Sequence, residues 1–439
     1  MGKYAVLLVM AMTFGLITYG HALRNNLLQS ESRIVEEYGI NQAKNTSQSM
    51  AMLAVQKIGN PDDDEFTPEV DQTMYIPEGG GFEPWEELGA EYRIEILNQG
   101  DSLLVMDTYS VFDGFEYMVS VTFNRNTPIW NPELSHAVFA GQSVDLEGSA
   151  SINGDVGTNA ITANSVNLKG STTITGGMQI GPGGLSDETV NIDDWADQDN
   201  VVNGGISNLP SELDFELPPF PDFPPMTNIG SNIAISGGTG GSMPPGSFDN
   251  LYIPEISVRG NNTLTIDTGG EDRTLHVGNL NVQQGHIEVI GGGELTLMIE
   301  DNITLNGSST INENGDQGNV KTNYKGTNEV DFGGATSFNG SLFAETANIN
   351  LNGSGGIQGH IITGGTNVDI MGAAEAISRM IFAPNADIEI GGSGSVRGAI
   401  VADSFRGFGN ASVIFDDDFD SEMPEFPAGE ETYEVASWY

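Results

Sequence analysis

Three aspartates near the end of the chain, Asp416, Asp418 and Asp420, stand at the first three ligand offsets of a calcium loop. The glycine such a loop needs next is Ser421, and its closing glutamate position holds Pro427, so an EF-hand in its usual form is excluded. An irregular calcium cage and a solvated acidic cap are the two readings that stay open. The five histidines, His21, His136, His276, His286 and His360, are scattered, and the spacing of His276 and His286 makes no zinc pattern. A catalytic histidine needs an oriented partner, and none can be located, so each is expected as surface or corner filler, with His360 at an outward position. Acid–base cleavage of a glycoside needs two carboxylates at a fixed separation. The chain has 61 acids, with Arg259, Arg273, Arg379, Arg397 and Arg406 as charge partners, and its order singles out no pair. Gly237 to Gly241 lacks the lysine and following helix of a phosphate loop. With no cysteine, thiol catalysis, disulfides and cysteine-bound zinc are all excluded. We therefore expect no catalytic residue and no cofactor, calcium apart.

The elements that carry these residues are set by composition and periodicity. A formal charge of −46 repels phosphate backbones, so no nucleic-acid partner is expected. A hydrophobic fraction of 38% is enough to fill a core. Tyr4 to Leu23 has no charged side chain and lies between Lys3 and Arg24, a length that just spans a bilayer core as a helix. It predicts a transmembrane segment, with the amino terminus in the cytoplasm and the bulk of the chain outside, and a signal peptide cleaved after Gly20-His21-Ala22 is the competing reading. Leu27, Leu28, Ile34, Val35 and Tyr38, then Ala43, Met50, Ala51, Ala54, Val55 and Ile58, continue a helical stripe that Gly59, Asn60 and Pro61 end. Gly39 is the place where this helix of about 80 Å is expected to bend.

An uncharged apolar half-helix running without a break into an amphipathic half, followed by a small β-rich head, resembles the type IV pilin and minor pilin plan. Gly2 to Ile58, with its LRNNLLQSESRIVEEYGINQAKNTSQSMAMLAVQKI continuation, is most similar to PilX-like pilus-assembly proteins. The resemblance covers about the first 125 residues. It implies pilin-like or pilus-assembly subunits as partners. The family's glycine, aromatic and early glutamate are missing here, the nearest glutamate being Glu31.

Asp62-Asp63-Asp64-Glu65 opens an acidic stretch with Pro and Gly that reads as a solvated linker. Period-two alternation then predicts three strands between Glu91 and Asn124, with turns at Asn98–Asp101 and Asp113-Gly114. Beyond Ala140 the chain repeats itself. SVDLEGSASINGDV from Ser143, SVNLKGSTTITGGM from Ser165, NINLNGSGGIQGHI from Asn348 and DIEIGGSGSVRGAI from Asp387 share apolar–any–apolar–any–Gly-Ser, two further residues, then apolar–any–Gly. The first two copies are 22 residues apart and the last two 39, which suits one and two rungs of a solenoid. Alternating apolar residues such as Val144 and Leu146 fill a narrow interior, and Gly-Ser corners supply the backbone angles a coil must turn through. The sequons at Asn306 and Asn352 are read as turn chemistry. Leu209 to Met226, LPSELDFELPPFPDFPPM, has prolines that deny strand pairing and splits the repeats in two. Ser337 to Phe415 also resembles glycine-rich β-helical domains attached to pilin-like anchors in bacterial surface proteins.

The expected fold class is mainly β: a long N-terminal transmembrane and amphipathic α-helix, a small antiparallel head, then a β-solenoid or parallel β-helix. Residues 1–58 form the helix, 59–89 an acidic linker, 90–126 the head, 140–205 the first solenoid part, 206–248 a Pro/Gly linker, 249–420 the second part and 421–439 a tail. Trp438-Tyr439 is expected either to dock on a partner or to cap the last coil. The expected function is a membrane-anchored, exported structural or adhesive component of a type IV pilus-like surface assembly. Its partners are the membrane through Tyr4–Leu23, pilus subunits, and surface polysaccharide or a substratum. A surface polysaccharide-acting enzyme and a plain anchored envelope stalk are the rival readings.

Overall fold

The computed structural model describes residues 2–58, 72–98, 103–126, 130, 132, 134–193, 197–223, 225–226, 228–238, 240–247, 251–377, 380–416 and 432–439. The chain forms two compact units, Met1–Ile129 with Pro427–Tyr439, and Trp130–Phe426.

In the first unit the helix α1 runs unbroken over Gly2–Ile58. Its second half buries Ala43, Ser47, Met50, Ala51, Ala54 and Ile58, spaced three and four apart, so one stripe faces a partner. That partner is an antiparallel sheet of β1 (Thr73–Ile76), β2 (Glu83–Trp85), β3 (Ala90–Asn98), β4 (Leu103–Phe112) and β5 (Phe115–Asn126). The strands lie in the order β1-β3-β4-β5, with β2 also on β3. Ile94, Ile96, Leu104, Met106, Val119, Val121 and Phe123 form the face on which the helix sits. Small residues on the stripe bring the helix close enough for side chains to reach backbone. Ser47 Oγ donates to the Thr108 carbonyl at 2.6 Å, and Ser110 Oγ donates to that of Ala43. Asp113-Gly114 makes the two-residue turn between β4 and β5, both residues having positive φ as a type I′ turn requires.

Gly39, where a bend was expected, has another role. The helix continues through it, and a Cβ there would meet a ring carbon of Phe115 at 2.3 Å. The missing side chain lets the β4–β5 hairpin close on the helix, where Tyr38 and Phe112 also meet edge to face at 5.8 Å.

Two stretches of the head were not expected. β1 and β2 fall in the part read as linker, because Tyr75 and Trp85 give only short, Pro- and Gly-interrupted patterns; residues 59–71 lie outside the described residues. Thr432–Trp438, read as tail, is a strand antiparallel to β5. The solenoid is therefore an insertion between β5 and the last strand of the head.

The transmembrane expectation is corrected. Among the described residues no helix is long and apolar enough to cross a membrane. Thr13, Thr18, Tyr19 and His21 interrupt the apolar side chains between Leu8 and Leu23. A single-pass anchor through Tyr4–Leu23, and the localisation built on it, is not supported.

The second unit is a parallel β-solenoid of about 11 turns. Inward positions of the repeat, Val144, Leu146, Val166, Leu168, Ile349, Leu351, Ile388 and Ile390, are all buried in one continuous core. The Gly-Ser corner becomes a column of glycines with φ of 70–80°, running Gly307, Gly334, Gly353, Gly372, Gly392, Gly409, Gly148 and Gly170. Each is tied to the next rung by backbone bonds such as Ser354 N to Gly334 O and Ala373 N to Gly353 O, both 2.8 Å.

The stacking order departs from chain order. The first repeat strand, Val138–Leu146, pairs in parallel with Ala399–Gly407, the last long strand of the second part, with Ile400 on Val138 and Phe405 on Val144. The chain thus enters the solenoid in mid-stack, winds out to Ile206–Asn208, and restarts at the far end with Asn228–Ile229, Ile233–Ile235 and Gly241–Met243. Residues 209–226, part of the expected linker, are the strap that carries the chain back. Strand pairing across rungs uses one template everywhere, so the repeats do not record which rung meets which.

Two expected outcomes test this packing. Gly39→Ala should lower the stability of the head by about 1–3 kcal/mol despite alanine's better helix propensity, and combination with Phe115→Ala should recover part of the loss, as read by chemical denaturation. Gly353→Ala places a Cβ 2.7 Å from the Gly334 carbonyl oxygen at φ 74°, and should cost about 1–3 kcal/mol of solenoid stability. Unchanged denaturation midpoints would contradict both accounts.

Candidate interaction surfaces

Each turn of the solenoid presents outward residues that align from rung to rung into columns. One column is carboxylate and amide: Asp331, Asn350, Asp369, Glu389, Arg406, Asp145, Asn167 and Asn191 lie in continuous parallel register. Its members bond to one another and to their flanks. Asn191 donates to Asn167 at 3.1 Å, Asn167 to Asp145 at 2.7 Å, Asn352 to Asp331 at 2.9 Å and Asn367 to Asp369 at 2.7 Å. Arg406 bridges two carboxylates, Glu389 at 3.2 Å and Glu147 at 3.6 Å. Asp369 and Glu389 are direct neighbours, and burial raises the Asp369 carboxyl above its ordinary pKa, with Glu389 and Glu329 adding to the rise and the Asn367 hydrogen bond opposing it.

A second column is apolar, at positions where alternation points outward: Phe343, Ile362, Phe382, Val401 and Phe139 in register. It is covered by the strap. Phe215 meets Phe139 at 5.0 Å and Phe382 at 6.1 Å, and Phe220 meets Phe343 at 5.0 Å, ring centre to ring centre. The prolines suit this role, since an extended segment without its own ladder can lie flat across rungs. Its backbone is held by side chains instead: Asn159 exchanges two hydrogen bonds with Leu213 at 2.7 and 3.0 Å, and Trp130 Nε1 donates to the Glu216 carbonyl at 3.1 Å.

The third surface belongs to the other unit. From Leu8 to Leu23 the helix α1 exposes predominantly apolar side chains, Phe14 and Leu16 being 71% exposed, and Leu27, Leu28, Ile34, Val35 and Tyr38 continue them as an exposed apolar stripe among charged residues. Where this half meets the head, Leu28, Glu31, Ser32, Val35, Glu36 and Phe115 line a groove of about 570 Å³.

Among the described residues, those singled out for chemistry are not brought together. Of the aspartate trio only Asp416 lies among the described residues, and no cluster of three or more His, Asp or Glu suited to a metal occurs there. His136, His276 and His360 are buried, correcting their reading as surface or corner filler, and His276 lies under the Phe223 ring of the strap. His136 bonds Gln179 at 2.9 Å and Ser135 at 3.1 Å, and His286 bonds Thr310 at 2.9 Å. Arg273 pairs with Glu271 at 2.6 Å, Arg259 donates to Ser257 at 3.1 Å, and Arg379 lies outside the described residues. Sequence reasoning missed the two outward columns. The signal was present in Phe343, Ile362 and Phe382, large apolar residues at positions that should face water.

Residues 232–377 match the model of a family described as a domain of unknown function, DUF7305. No curated protein matches the chain. Among solved structures, the chain is similar to the competence-associated pilin ComZ from Thermus thermophilus, at 13% identity over 92% of this chain and 96% of that one, with a TM-score of 0.22. It is also similar to an ice binding protein from an Antarctic Biological Consortium, at 13% identity over 68% of this chain and 97% of that one, with a TM-score of 0.21. At such scores neither likeness carries weight for fold or function.

The Asp369 environment predicts a pH effect of definite sign. A carboxyl whose folded pKa lies above its unfolded value is penalised once ionised; the penalty is absent below the unfolded pKa and complete above the folded one. Asp369→Asn should therefore be more stable than the wild type at neutral pH, with the difference vanishing as pH falls toward 3. Urea denaturation at a series of pH values checks this, and a wild type that gains on the variant as pH rises would contradict it.

Proposed function

We propose that this protein is a structural and adhesive component of a pilus-type assembly, joined to it through the N-terminal half of α1. One observation carries the proposal: the helix is buried along a stripe from Ala43 to Ile58, yet its predominantly apolar side chains from Leu8 to Leu23 are exposed, and an exposed apolar stripe of Leu27, Leu28, Ile34, Val35 and Tyr38 continues them. A helix that is apolar all round belongs in the interior of something larger, and an exposed patch beyond a few hundred Å² marks an association site. At about 25 cal/mol per Å² the gain from packing such a half-helix among like helices is substantial. The resemblance of the first 125 residues to pilins supports the same partner, a bundle of helices of this kind.

The solenoid is then the part carried by the assembly. Parallel rungs about 4.8 Å apart repeat the same donors and acceptors along the acid–amide column, a spacing and chemistry suited to the hydroxyls of a polysaccharide or a hydroxylated substratum. The net charge of −46 keeps so large a displayed domain soluble.

The test is a double substitution, Phe14→Asp with Leu16→Asp, in the full chain expressed in cells that carry the assembly. Neither residue touches the head core, so melting of the purified variant should match the wild type within about 0.5 kcal/mol. Its recovery in sheared filaments should fall at least tenfold. Recovery equal to that of the wild type would overturn the proposal.

A further inference from the structure

The strap ends on a histidine. Register places His276 on the same outward column as the apolar residues: Tyr252, His276, Met298, Asn323 and Phe343 follow one another across neighbouring rungs. His276 is 1% exposed, and what covers it is Phe223, the last aromatic of the strap, edge to face at 5.9 Å between ring centres. Phe223 is in turn stacked on Phe220 at 5.8 Å and carries the Lys325 ammonium 5.7 Å from its ring centre. His276 Nε2 is buried without a hydrogen-bond partner. The two ends of the strap are thus held differently. The first is tied through Leu213 and Glu216 by hydrogen bonds to Asn159 and Trp130, whereas the second rests on ring contacts over an imidazole.

We propose that the distal end of the strap is a pH-sensitive latch: Phe223 closes over His276 while the imidazole is neutral and lifts when it is protonated, uncovering the lower part of the apolar column. An imidazolium carries an N–H at both nitrogens and needs an acceptor or water for each. The covered Nε2 has neither, and a charge without a partner in an apolar cover is costly. Lifting Phe223 admits water and removes the cost. The groups facing His276 have been weighed from each element packed on it. Glu300 on the next rung favours the imidazolium, but its carboxylate is shared with the Tyr252 hydroxyl. Asp301 lies beyond, beside the Tyr252 hydroxyl. On the strap side Asp222 adjoins Phe223, and Lys325, on the Phe223 ring, opposes a second cation there. Burial outweighs Glu300 and holds the imidazole below its ordinary pKa, in keeping with the geometry. A histidine of this kind contributes closure that is complete above the open-state pKa of about 6.5 and is lost as pH falls below it.

Opening uncovers Phe343 and the Met298 side of the column, an apolar strip formed only under acid conditions. The latch would switch this face between a sealed and an adhesive state without unfolding the rungs, whose core residues lie on the opposite side of each strand.

The test is hydroxyl-radical labelling of the full chain at pH 7.5 and pH 5.0, normalised to a dosimeter and read by mass spectrometry at individual side chains. Labelling of Phe223 and Phe343 should rise severalfold at pH 5.0, while that of Phe215, at the hydrogen-bonded end of the strap, stays unchanged. His276→Asn should abolish the pH response, and Phe223→Ala should leave Phe343 labelled at both pH values. If either variant is poorly folded, the His276 ring followed by NMR in the wild type should titrate in the same pH range as the rise in labelling. Equal labelling of Phe223 and Phe343 at the two pH values, or a pH response that survives His276→Asn, would overturn the latch.

Discussion

Everything in the larger unit depends on one repeated interaction, the parallel stacking of short strands whose inward side chains form a continuous apolar column. Each rung exposes apolar residues above and below, so it is stable only between neighbours. Val144 on Val166, Leu146 on Leu168 and Ile349 on Val368 are the same contact made again. The glycine corner follows from this stacking, since rungs in van der Waals contact leave no room for a Cβ at Gly353 or Gly334. The outward columns follow as well. Fixing the inward residues in register fixes their neighbours, and that is how Asp369 is set beside Glu389 although like charges oppose it.

Mid-stack entry adds a second constraint. When the first repeats stack on the last, the chain between them must travel the length of the solenoid, and a polar loop over an apolar column would leave that column wet. The strap meets both needs through composition: prolines keep it extended, and Phe215, Leu217, Phe220 and Phe223 face the column. A cover made of ring contacts rather than strand ladders can come off locally without disturbing the rungs, and this gives the His276 end its character. The head shows the complementary economy, a helix held by small residues and two hydroxyl-to-carbonyl bonds over half its length, leaving the other half exposed.

Much of this was legible in the sequence. The repeat template identified the solenoid, its inward residues and its glycine corner, because alternation and backbone angle are local properties. Alternation likewise gave β3, β4 and β5, and the three-four spacing from Ala43 gave the buried helix stripe. Topology was not legible. Among the described residues Leu209–Met226 pairs with no strand, in keeping with its prolines, but its aromatics carry no local sign of the column that lies beneath them. Thr432–Trp438 alternates as a strand does, and its distance from β5 in the chain concealed the pairing. The histidines were misjudged for the same reason: His276 faces outward locally and is buried by a segment from elsewhere. The aspartate trio has the spacing of a calcium loop without its glycine and glutamate, and Asp418 and Asp420 lie outside the described residues.

The mid-stack junction is the claim on which the rest stands, and the chain's lack of cysteine makes it directly measurable. Ser412 and Ser151 face each other in register across that junction, at a separation between parallel neighbours that suits a disulfide. In the full-length double variant Ser151→Cys with Ser412→Cys, mild oxidation should give an intramolecular crosslink, seen by mass spectrometry of the non-reduced digest, with no loss of folded structure. A solenoid stacked in chain order would put these residues far apart, and free thiols or only intermolecular crosslinks in the oxidised monomer fraction would contradict the account.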